Sequence, residues 1–481
     1  MGILYFLNTY MNRRSFVNKL GLLTGGLTLS IDAYPFLKRA GEISGKVLSG
    51  KKGIPNVSVT DGYTIVLTDK AGKYTIKTHK NAKFVYISTP SGFEFISEEN
   101  IVRSYHHLGL RNEYNFNLKK LNQSDTKHRF IIWADPQVKN ANDVAQMMAT
   151  SVPDVRQYIE SLAEGTLIHG IGVGDLAWDN LEFFNDYNKA VGRMGIPFFQ
   201  ALGNHDMDYN KGGDETSDHT FQDFFGPTYY SFNRGKAHYI ILDDVRYLGK
   251  DRLYDGYIAS HQLEWVKNDL KNVPKDHLLI ICLHIPVHNA VKNNSDLYDL
   301  LKEYKNVHIM SGHTHNNTNI ERNGIYEHNH GTVCGAWWTG PICEDGTPRG
   351  YGTYEVDGNE LKWQYKPTGL SADHQISLSL DILTNQKRLI ANVWNWDSAW
   401  KVEYFLDDKP MGLLTNSKGY DPLAVKLYKG KDLPAGRGFP EPKLNEHMFV
   451  AHCGPETKVV KVIASDRFGK KYEISSRFKD S

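Results

Sequence analysis

The stretch that most constrains the fold is an apolar run over residues 196–202 that ends in Gly203-Asn204-His205-Asp206. The run is typical of a buried strand, and an amide, an imidazole and a carboxylate follow it on one tight loop. In open α/β sheets, ligand-binding and catalytic groups collect at the carboxyl ends of strands. The sequence therefore predicts a functional site at the end of this strand.

Four further apolar runs in the middle of the chain end in polar clusters of the same kind. These clusters are Asp135-Pro136-Gln137, residues 174–180 with Asp175, residues 284–288 with His284, and Ser311-Gly312-His313-Thr314-His315. Each cluster alone has an ordinary explanation, such as the end of a strand or the cap of a turn. Five of them, each at a strand terminus, indicate one composite site.

The periodicity of the chain predicts a multidomain α/β fold, since 481 residues are too many for one core. Residues 128–368 alternate strands with helices, which is the pattern of a layered α/β domain. Helices are expected at 144–162 and 181–194, and strands at 130–134, 165–173, 198–202, 238–242, 278–283 and 307–310.

The regions on either side, 41–119 and 369–481, carry short alternating runs that are typical of β-sandwiches. In the C-terminal region, strands are expected at 376–380, 389–394, 401–406, 424–428 and 458–464, without a helix between them. The N-terminal region resembles the transthyretin-like or carboxypeptidase-regulatory sandwich, for which both a spacer role and sugar binding are open.

Residues 1–38 carry Arg13-Arg14, Phe16 and Lys19 before a short Gly-containing apolar run. This pattern resembles a twin-arginine export signal and predicts a periplasmic or other extracytoplasmic protein. A basic amphipathic first helix is the alternative. The apolar run is too short for an ordinary transmembrane helix, and no other membrane segment is expected. The net charge of +1 lacks the basic excess typical of a polyanion binder, so nucleic acid is not an expected partner.

The chemistry of the five clusters indicates a two-metal site. Two divalent ions about 3.5–4 Å apart can activate a bridging water and clamp phosphoryl oxygens. One carboxylate must bridge them, and Asp175 is the candidate. Imidazole and carboxylate ligands together suit Zn, Fe or Mn better than calcium.

These motifs resemble those of the calcineurin-like metallophosphoesterase superfamily, over roughly residues 128–365. The resemblance implies a central metallophosphoesterase β-sandwich core with flanking helices, and the two outer β domains resemble the branch with extra N- and C-terminal domains. It also implies two metal sites, one formed by Asp135, Gln137, Asp175 and His315, the other by Asp175, Asn204, His284 and His313. His205 would protonate the leaving group, oriented by a carboxylate such as Asp206.

Two positions depart from the usual superfamily pattern. Gln137 stands where a histidine is common, although a subset of the superfamily has the same D-P-Q form, and an amide oxygen can still bind a metal. Asp179-Asn180 stands where protein Ser/Thr phosphatases have an arginine, which argues against protein phosphatase activity.

A Gly- and Pro-rich loop after the last histidines carries further candidates for substrate binding. Trp337 or Trp338 could stack on a ring of the substrate, with Asp345 or Arg349 forming hydrogen bonds. Packing of the tryptophans against the C-terminal domain is the alternative. Cys334 and Cys343 bracket this loop and could form a disulfide in an exported protein.

The resulting hypothesis is an exported hydrolase of phosphate esters, which uses a metal-bridging hydroxide. Its substrate would be a small-molecule phosphate ester or a phosphorylated glycan or lipid. The alternatives are a phosphodiesterase for nucleotides or lipid head groups, and a surface glycan-binding protein with an inactive phosphoesterase core.

Overall fold

The computed structural model describes residues 41–109, 111–383, 386–429 and 440–478. The expected export signal at 1–38 therefore lies outside the described residues. No helix within the described ranges has the length and apolar character needed to span a bilayer.

Two mixed sheets form the centre of the described chain. Neighbouring strands of the first sheet are, in order, Glu360–Pro367, Gly350–Asp357, Lys127–Trp133, Ile168–Val173, Phe198–Ala201, Ile101–Val102 and Ser97–Glu98. Those of the second are Tyr230–Arg234, Ala237–Ile241, Leu278–Cys282, Asn306–Ser311, Ile325–Asn329 and Thr318–Arg322. Strands Val245–Tyr247 and Tyr254–Gly256 form a separate hairpin.

Both faces of the first sheet are covered, because alternate side chains of one strand enter different hydrophobic clusters. Phe130 and Ile132 pack in the cluster that includes side chains of the second sheet. Ile131 and Trp133 point the other way, into the cluster that includes helical side chains. Strands buried on both faces read as continuous apolar runs, which is why these strands are visible in the sequence.

Helices flank the sheets as expected, with one expected helix divided in two. The helices are Ala141–Ala149, Ser151–Glu160, Phe184–Met194, His219–Phe225, Ser260–Asp269, Val287–Ala290 and Asn294–Leu301. Short 3₁₀ turns are Leu181–Phe183, Asn204–Asp206, Asp214–Thr216 and Leu270–Asn272. The division at Thr150 follows from Pro153, which lacks a backbone donor and is tolerated only in the first turn of a helix.

The N-terminal region forms two small sheets around Val47, Val59 and Ile76. Its strands outside the central sheet are Glu42–Ser49, Lys52–Gly53, Ser58–Thr60, Ile65–Leu67, Lys73–Lys77, Phe84–Ile87, Tyr105–His107 and Phe116–Asn117. The hairpin Ser97–Glu98 and Ile101–Val102 instead extends the first central sheet, through the parallel pair of Ile101 with Phe198. This region is thus joined to the core by backbone pairing.

The C-terminal region is a sandwich of two four-stranded sheets. One sheet contains Ile376–Leu383, Gln386–Val393, Asn445–Cys453 and Thr415–Gly419, and the other Lys409–Leu413, Lys401–Leu406, Val459–Ser465 and Lys471–Arg477. The strands Gly350–Asp357 and Glu360–Pro367, which precede it, belong to the central sheet. The domain boundaries expected from the sequence remain predictions.

The strand expected at 424–428 is wrong, because Pro422–Tyr428 is a helix. Asp421 caps it by accepting hydrogen bonds from Leu423 N at 2.8 Å and Ala424 N at 3.0 Å. Ala424 and Tyr428 are four residues apart and both enter a cluster with Ile342. Spacing of four places side chains on one helix face, whereas a strand would alternate them.

Candidate metal centre

The five polar clusters lie at the carboxyl ends of parallel strands in the two central sheets. Asp135 follows Lys127–Trp133, Asp175 follows Ile168–Val173, and Asn204 follows Phe198–Ala201 in the first sheet. In the second sheet His284 follows Leu278–Cys282, and His313 follows Asn306–Ser311. Parallel strands bring these ends to the same edge, so the loops meet as expected.

The densest part of the site combines Asp175, Asn204, His284 and His313. His284 Nε2 lies 3.3 Å from Asp175 Oδ1, 3.1 Å from Asn204 Oδ1 and 3.1 Å from His313 Nδ1. Ligand atoms of Asp175, His284 and His313 all lie within 4.8 Å of one another. These side chains can therefore hold one metal ion between them.

The hydrogen bonding of His284 tests whether a cation fits this position. Its Nδ1 lies 2.9 Å from the Val173 carbonyl oxygen, which can only accept, so Nδ1 carries the hydrogen. In neutral His284, Nε2 is then an acceptor facing the acceptor oxygens of Asp175 and Asn204. Converging lone pairs of this kind require a proton or a metal ion between them. The donor atoms of His284, Asp175 and Asn204 are of the types that bind a divalent metal ion.

The charged groups of the cluster shift one another's pKa values. Although burial opposes ionisation of Asp175, His284 and His205 hold the pKa of its carboxyl well below the usual range. Burial alone would lower the pKa of His284, but the neighbouring Asp175 raises it above its ordinary value. Burial and the charge of His284 lower the pKa of His313 to about 4, which favours the neutral imidazole that binds metals.

Asp135, Gln137 and His315 are the remaining candidate ligands. Gln137 Nε2 donates to Asp175 Oδ2 at 2.7 Å, and His315 Nε2 lies 3.5 Å from Asp135 Oδ1. Gln137 Oε1 and His315 Nδ1 are buried, and no described residue gives either a hydrogen-bond partner. Asp175 therefore has one carboxylate oxygen directed to each group of candidate ligands.

The backbone of the site is unusually constrained. Five of the expected ligands have positive φ: Asp135 (49°), Gln137 (41°), Asp175 (54°), His313 (70°) and His315 (60°). Such conformations cost about 1–3 kcal/mol each and cluster at functional sites. Gly203 is required for close approach, since a Cβ there would lie 2.1 Å from Asp175 N.

His205 borders this cluster, and Asp179, not Asp206, is the carboxylate that contacts it. Asp179 Oδ1 lies 2.7 Å from His205 Nδ1, and Arg252 pairs with the other oxygen of Asp179. Asp206 instead accepts hydrogen bonds from Leu176 N, Ala177 N and Gly203 N at 3.0–3.1 Å. Asp206 thus ties two loops of the site together and does not orient His205.

The Trp loop, residues 334–349, has one tryptophan beside the site and another packed within the protein. The Trp337 ring lies 4.6 Å from His315 and 5.9 Å from Trp178, measured between ring centroids. Trp338 is only 3% exposed, and its Nε1 donates to Pro136 O at 2.7 Å. Half-buried Arg349 lies over the Trp338 ring, with 5.9 Å to its centroid.

Trp338 and Asp345 are both buried and hydrogen-bonded within the protein, and their contact with a substrate stays a prediction. Asp345 is fully buried and accepts hydrogen bonds from Asn317 N and Thr347 N, both at 2.8 Å. No disulfide joins Cys334 to Cys343; both are buried thiols, and Cys334 Sγ donates to Thr332 Oγ1 at 3.3 Å.

Three residues near the ligands were not assigned a role from the sequence. The sequence could have indicated Asp179, because it belongs to the polar cluster at 174–180 that follows the strand Ile168–Val173. Nothing in the sequence indicated a role for Arg252 or Tyr254, since the hairpin that carries them contains no recognisable motif. Burial and the charges of Asp175 and Asp135 raise the pKa of Tyr254 to about 12, and its ring centroid lies 5.9 Å from that of His313.

Asp244 supports the centre from behind. Its carboxylate is fully buried and accepts hydrogen bonds from His284 N and Ile285 N, both at 3.1 Å. Burial raises the pKa of Asp244 to about 7, against the opposing effect of His284. It therefore holds the backbone of a candidate ligand.

Three protein-family models match this chain, and together they cover most of it. They are described as the N terminal of calcineurin-like phosphoesterase (residues 41–121), calcineurin-like phosphoesterase (128–317) and the C terminal of calcineurin-like phosphoesterase (327–472). No curated protein sequence matches the chain.

Similar solved structures are distant. A dimetal phosphatase from Danio rerio is 13% identical, with 50% of this chain and 97% of that chain covered and a TM-score of 0.35. A purple acid phosphatase from yellow lupin (Lupinus luteus) seeds is 14% identical, with 69% and 70% covered and a TM-score of 0.38.

The candidate metal cluster at the edge of the two sheets and the three family matches agree with the resemblance found in the motifs. The protein is a metal-dependent phosphoester hydrolase. The chain belongs to the calcineurin-like phosphoesterase family, in the form with N-terminal and C-terminal extension domains, which confirms that prediction.

Proposed function

We propose that this hydrolase is exported and acts on small phosphate esters with two divalent ions, of Mn, Fe or Zn, at the edge of the central sheets. The observation that carries the proposal is the convergence of acceptor atoms from Asp175, Asn204, His284 and His313. The second oxygen of Asp175 accepts a hydrogen bond from Gln137 Nε2, so this carboxylate contacts members of both proposed ligand sets.

When bound, two ions supply an activated water and a clamp for the phosphoryl oxygens. Asp135, Gln137, Asp175 and His315 would hold one ion, and Asp175, Asn204, His284 and His313 the other. His205 would protonate the leaving oxygen. Because its Nδ1 is engaged with Asp179, only Nε2 is available to exchange that proton.

The proposed substrates are small phosphate esters, including phosphorylated glycans and lipids. The nearly neutral net charge of +1 favours such molecules over a nucleic acid. Trp337 beside His315 could contact the organic part of the ester.

A substrate comparison tests the proposed chemistry. Purified protein is loaded with Mn²⁺ and supplied with nitrophenyl phosphate and bis-nitrophenyl phosphate in parallel. We expect hydrolysis of both to stop with a chelator, and the monoester to react faster. Faster hydrolysis of the diester would favour the phosphodiesterase alternative, and inactivity on both in the metal-loaded protein would contradict the proposal.

Export is tested independently of activity. Replacing Arg13 and Arg14 by Lys keeps the charge but removes the twin-arginine pair. We expect the double variant to stay in the cytoplasm while the parent protein is recovered outside it. Identical fractionation of the two proteins would show that the pair is not an export signal.

A further inference from the structure

A buried polar assembly connects the C-terminal sandwich to the loop that carries His313 and His315. Its members are at least nine-tenths buried, and they are Asn317, Asp345, Asn392, Asn445 and His447. Asn392 lies on Gln386–Val393, and Asn445 and His447 lie on Asn445–Cys453, which are neighbouring strands. Polar side chains buried to this degree are expected to have a specific structural or functional role.

Asp345 holds the end of the histidine loop. Its Oδ2 accepts hydrogen bonds from Asn317 N at 2.8 Å and from Thr347 Oγ1 at 3.0 Å. The side chain of Asn317 accepts a further hydrogen bond from Gly331 N at 2.6 Å. Asn317 follows His315 by two residues, so this loop is held through both its backbone and a side chain.

The C-terminal strands in turn hold Asp345. Asn392 Nδ2 and Asn445 Nδ2 donate to the Asp345 carbonyl oxygen at 2.9 Å and 3.0 Å. His447 Nε2 lies 3.3 Å from Asp345 Oδ2. Two strands of a separate sandwich therefore meet one residue of the Trp loop.

The orientation of Asn392 is set by its partners. Its Nδ2 also donates to Asp421 Oδ2 at 2.9 Å, so both amide hydrogens are used. Asn392 Oδ1 is then the acceptor for His447 Nδ1–H at 2.6 Å. The partners of Asn392 are thus consistent with only one orientation of its amide.

This arrangement has a specific consequence for the metal centre. His313 and His315 have φ values of 70° and 60°, and sparsely populated conformations persist only where the surrounding structure holds them. We propose that Asn392, Asn445 and His447 are positioning residues, which act through Asp345 and Asn317 to keep the histidine loop competent for metal binding. The inference rests on the proposed function, because it takes His313 and His315 as metal ligands.

The test compares buried positions with exposed positions of the same residue type. His447→Ala and Asn445→Ala remove members of the assembly. His452→Ala, on the same strand, and Asn416→Ala, on the strand paired with it, are the controls, because His452 and Asn416 are exposed. Folding of each variant is checked by circular dichroism and thermal unfolding.

Two measurements are made on each variant, and neither requires hydrolysis. Hydrogen exchange of metal-free protein is followed by mass spectrometry in peptides that cover residues 313–319. Binding of Mn²⁺ alone is followed by titration. We expect faster exchange and at least roughly tenfold weaker Mn²⁺ binding for the two buried variants, since loss of residues that support metal ligands typically costs about 10–100-fold in affinity.

Unchanged exchange and Mn²⁺ affinity in folded His447→Ala and Asn445→Ala would overturn the proposal, as would equal changes in the exposed controls. If both buried variants fail to fold, Thr347→Val replaces them, because it removes only one hydroxyl donor to Asp345. Unchanged exchange and Mn²⁺ affinity in folded Thr347→Val, or equal changes in the exposed controls, would likewise overturn the proposal. A failure of the parent protein to hydrolyse phosphate esters would count against the proposed function and leave these binding and exchange results standing.

Discussion

Asp175 is the residue on which the charge balance of the centre depends. Its oxygens contact His284 at 3.3 Å and Gln137 at 2.7 Å, and His205 N donates to the same carboxylate at 2.8 Å. Gln137 and His205 N donate to this carboxylate, whereas Nε2 of neutral His284 faces it with a lone pair, which is costly unless a proton or a cation lies between them. Asp175 is therefore expected to contribute strongly to metal binding.

Asp175→Asn should lower metal binding and activity together, because it removes the charge that both proposed ions share. We expect loss of at least one ion per chain by elemental analysis, with kcat/KM falling in parallel. Asp186→Asn, in the surface pair with Lys189, is the matched control. Two ions per chain and near-normal turnover in Asp175→Asn would show that the residue is not a bridge.

His205→Ala should affect esters according to their leaving groups. An alkyl alkoxide needs a proton as it leaves, whereas nitrophenolate hardly does. General acid catalysis contributes about 10²–10⁴-fold, so kcat/KM should fall by that order on an alkyl phosphate and much less on nitrophenyl phosphate. Metal content is measured alongside. Equal losses on both substrates, or loss of an ion, would assign His205 a different role.

At the scale of elements, the centre is a set of loops held by side chains from outside the ligand set. Asp206 joins the loops after Ile168–Val173 and Phe198–Ala201 through three backbone amides. Trp338 joins the Trp loop to the loop after Lys127–Trp133 through Pro136 O. These contacts keep the loops at fixed separations, which a metal site requires.

Trp338→Phe should therefore destabilise the protein more than Trp394→Phe does. Both indoles are 3% exposed, but Trp394 Nε1 has no hydrogen-bond partner among the described residues. We expect a difference of about 1–3 kcal/mol in the free energy of unfolding, because Trp338→Phe leaves a buried carbonyl unpaired. Urea titrations of both variants measure it. Equal losses would mean that the Trp338 hydrogen bond contributes little.

At the scale of the molecule, the described chain buries several neutral histidines away from the metal centre. Burial lowers the pKa of His128 and that of His308 to about 3, and it lowers the pKa of His169 and His328 well below the ordinary value. These imidazoles pack with aromatic rings, as in the stack of His308 on Tyr326 with 5.0 Å between centroids. Protonation of these four imidazoles in the folded protein is thus strongly opposed.

Stability should therefore fall as the solution is acidified. The unfolded chain binds protons at these imidazoles below about pH 6.5, whereas folded His128 does so only near pH 3. The contribution of these neutral histidines to the free energy of unfolding is complete above about pH 6.5 and is lost progressively towards pH 3. The unfolding free energy of metal-free protein should fall by about 1.4 kcal/mol per pH unit for each such histidine, once well below pH 6.5.

A variant isolates one of these protons. His128→Asn should reduce the slope of unfolding free energy against pH by about one proton between pH 4 and 5.5, whatever its effect on stability at neutral pH. His452→Asn is the exposed control. The same slope in His128→Asn and in the parent protein would contradict a neutral buried His128.

Much of the fold and the location of the centre followed from the sequence alone. Strands buried on both faces must be apolar throughout, so the runs at 130–134, 198–202 and 278–283 could be read directly. Polar residues after such runs meet at one edge because parallel strands share a direction. The seven ligands that the resemblance implied, from Asp135 to His315, lie on loops that follow these strands, and their role as ligands stays a prediction.

Tertiary structure alone decided which neighbour each of these groups has. Asp206 is next to His205 in the sequence and Asp179 is 26 residues away. The folding of the two loops nevertheless brings Asp179, and not Asp206, into contact with the imidazole. Burial of Trp338 and Asp345 depends on Pro136, Asn317 and the C-terminal strands, which are far away in sequence. The helix Pro422–Tyr428 likewise forms where Ala424 and Tyr428 meet Ile342. Local patterns encode periodicity and strand ends, whereas side-chain partners depend on contacts between distant segments.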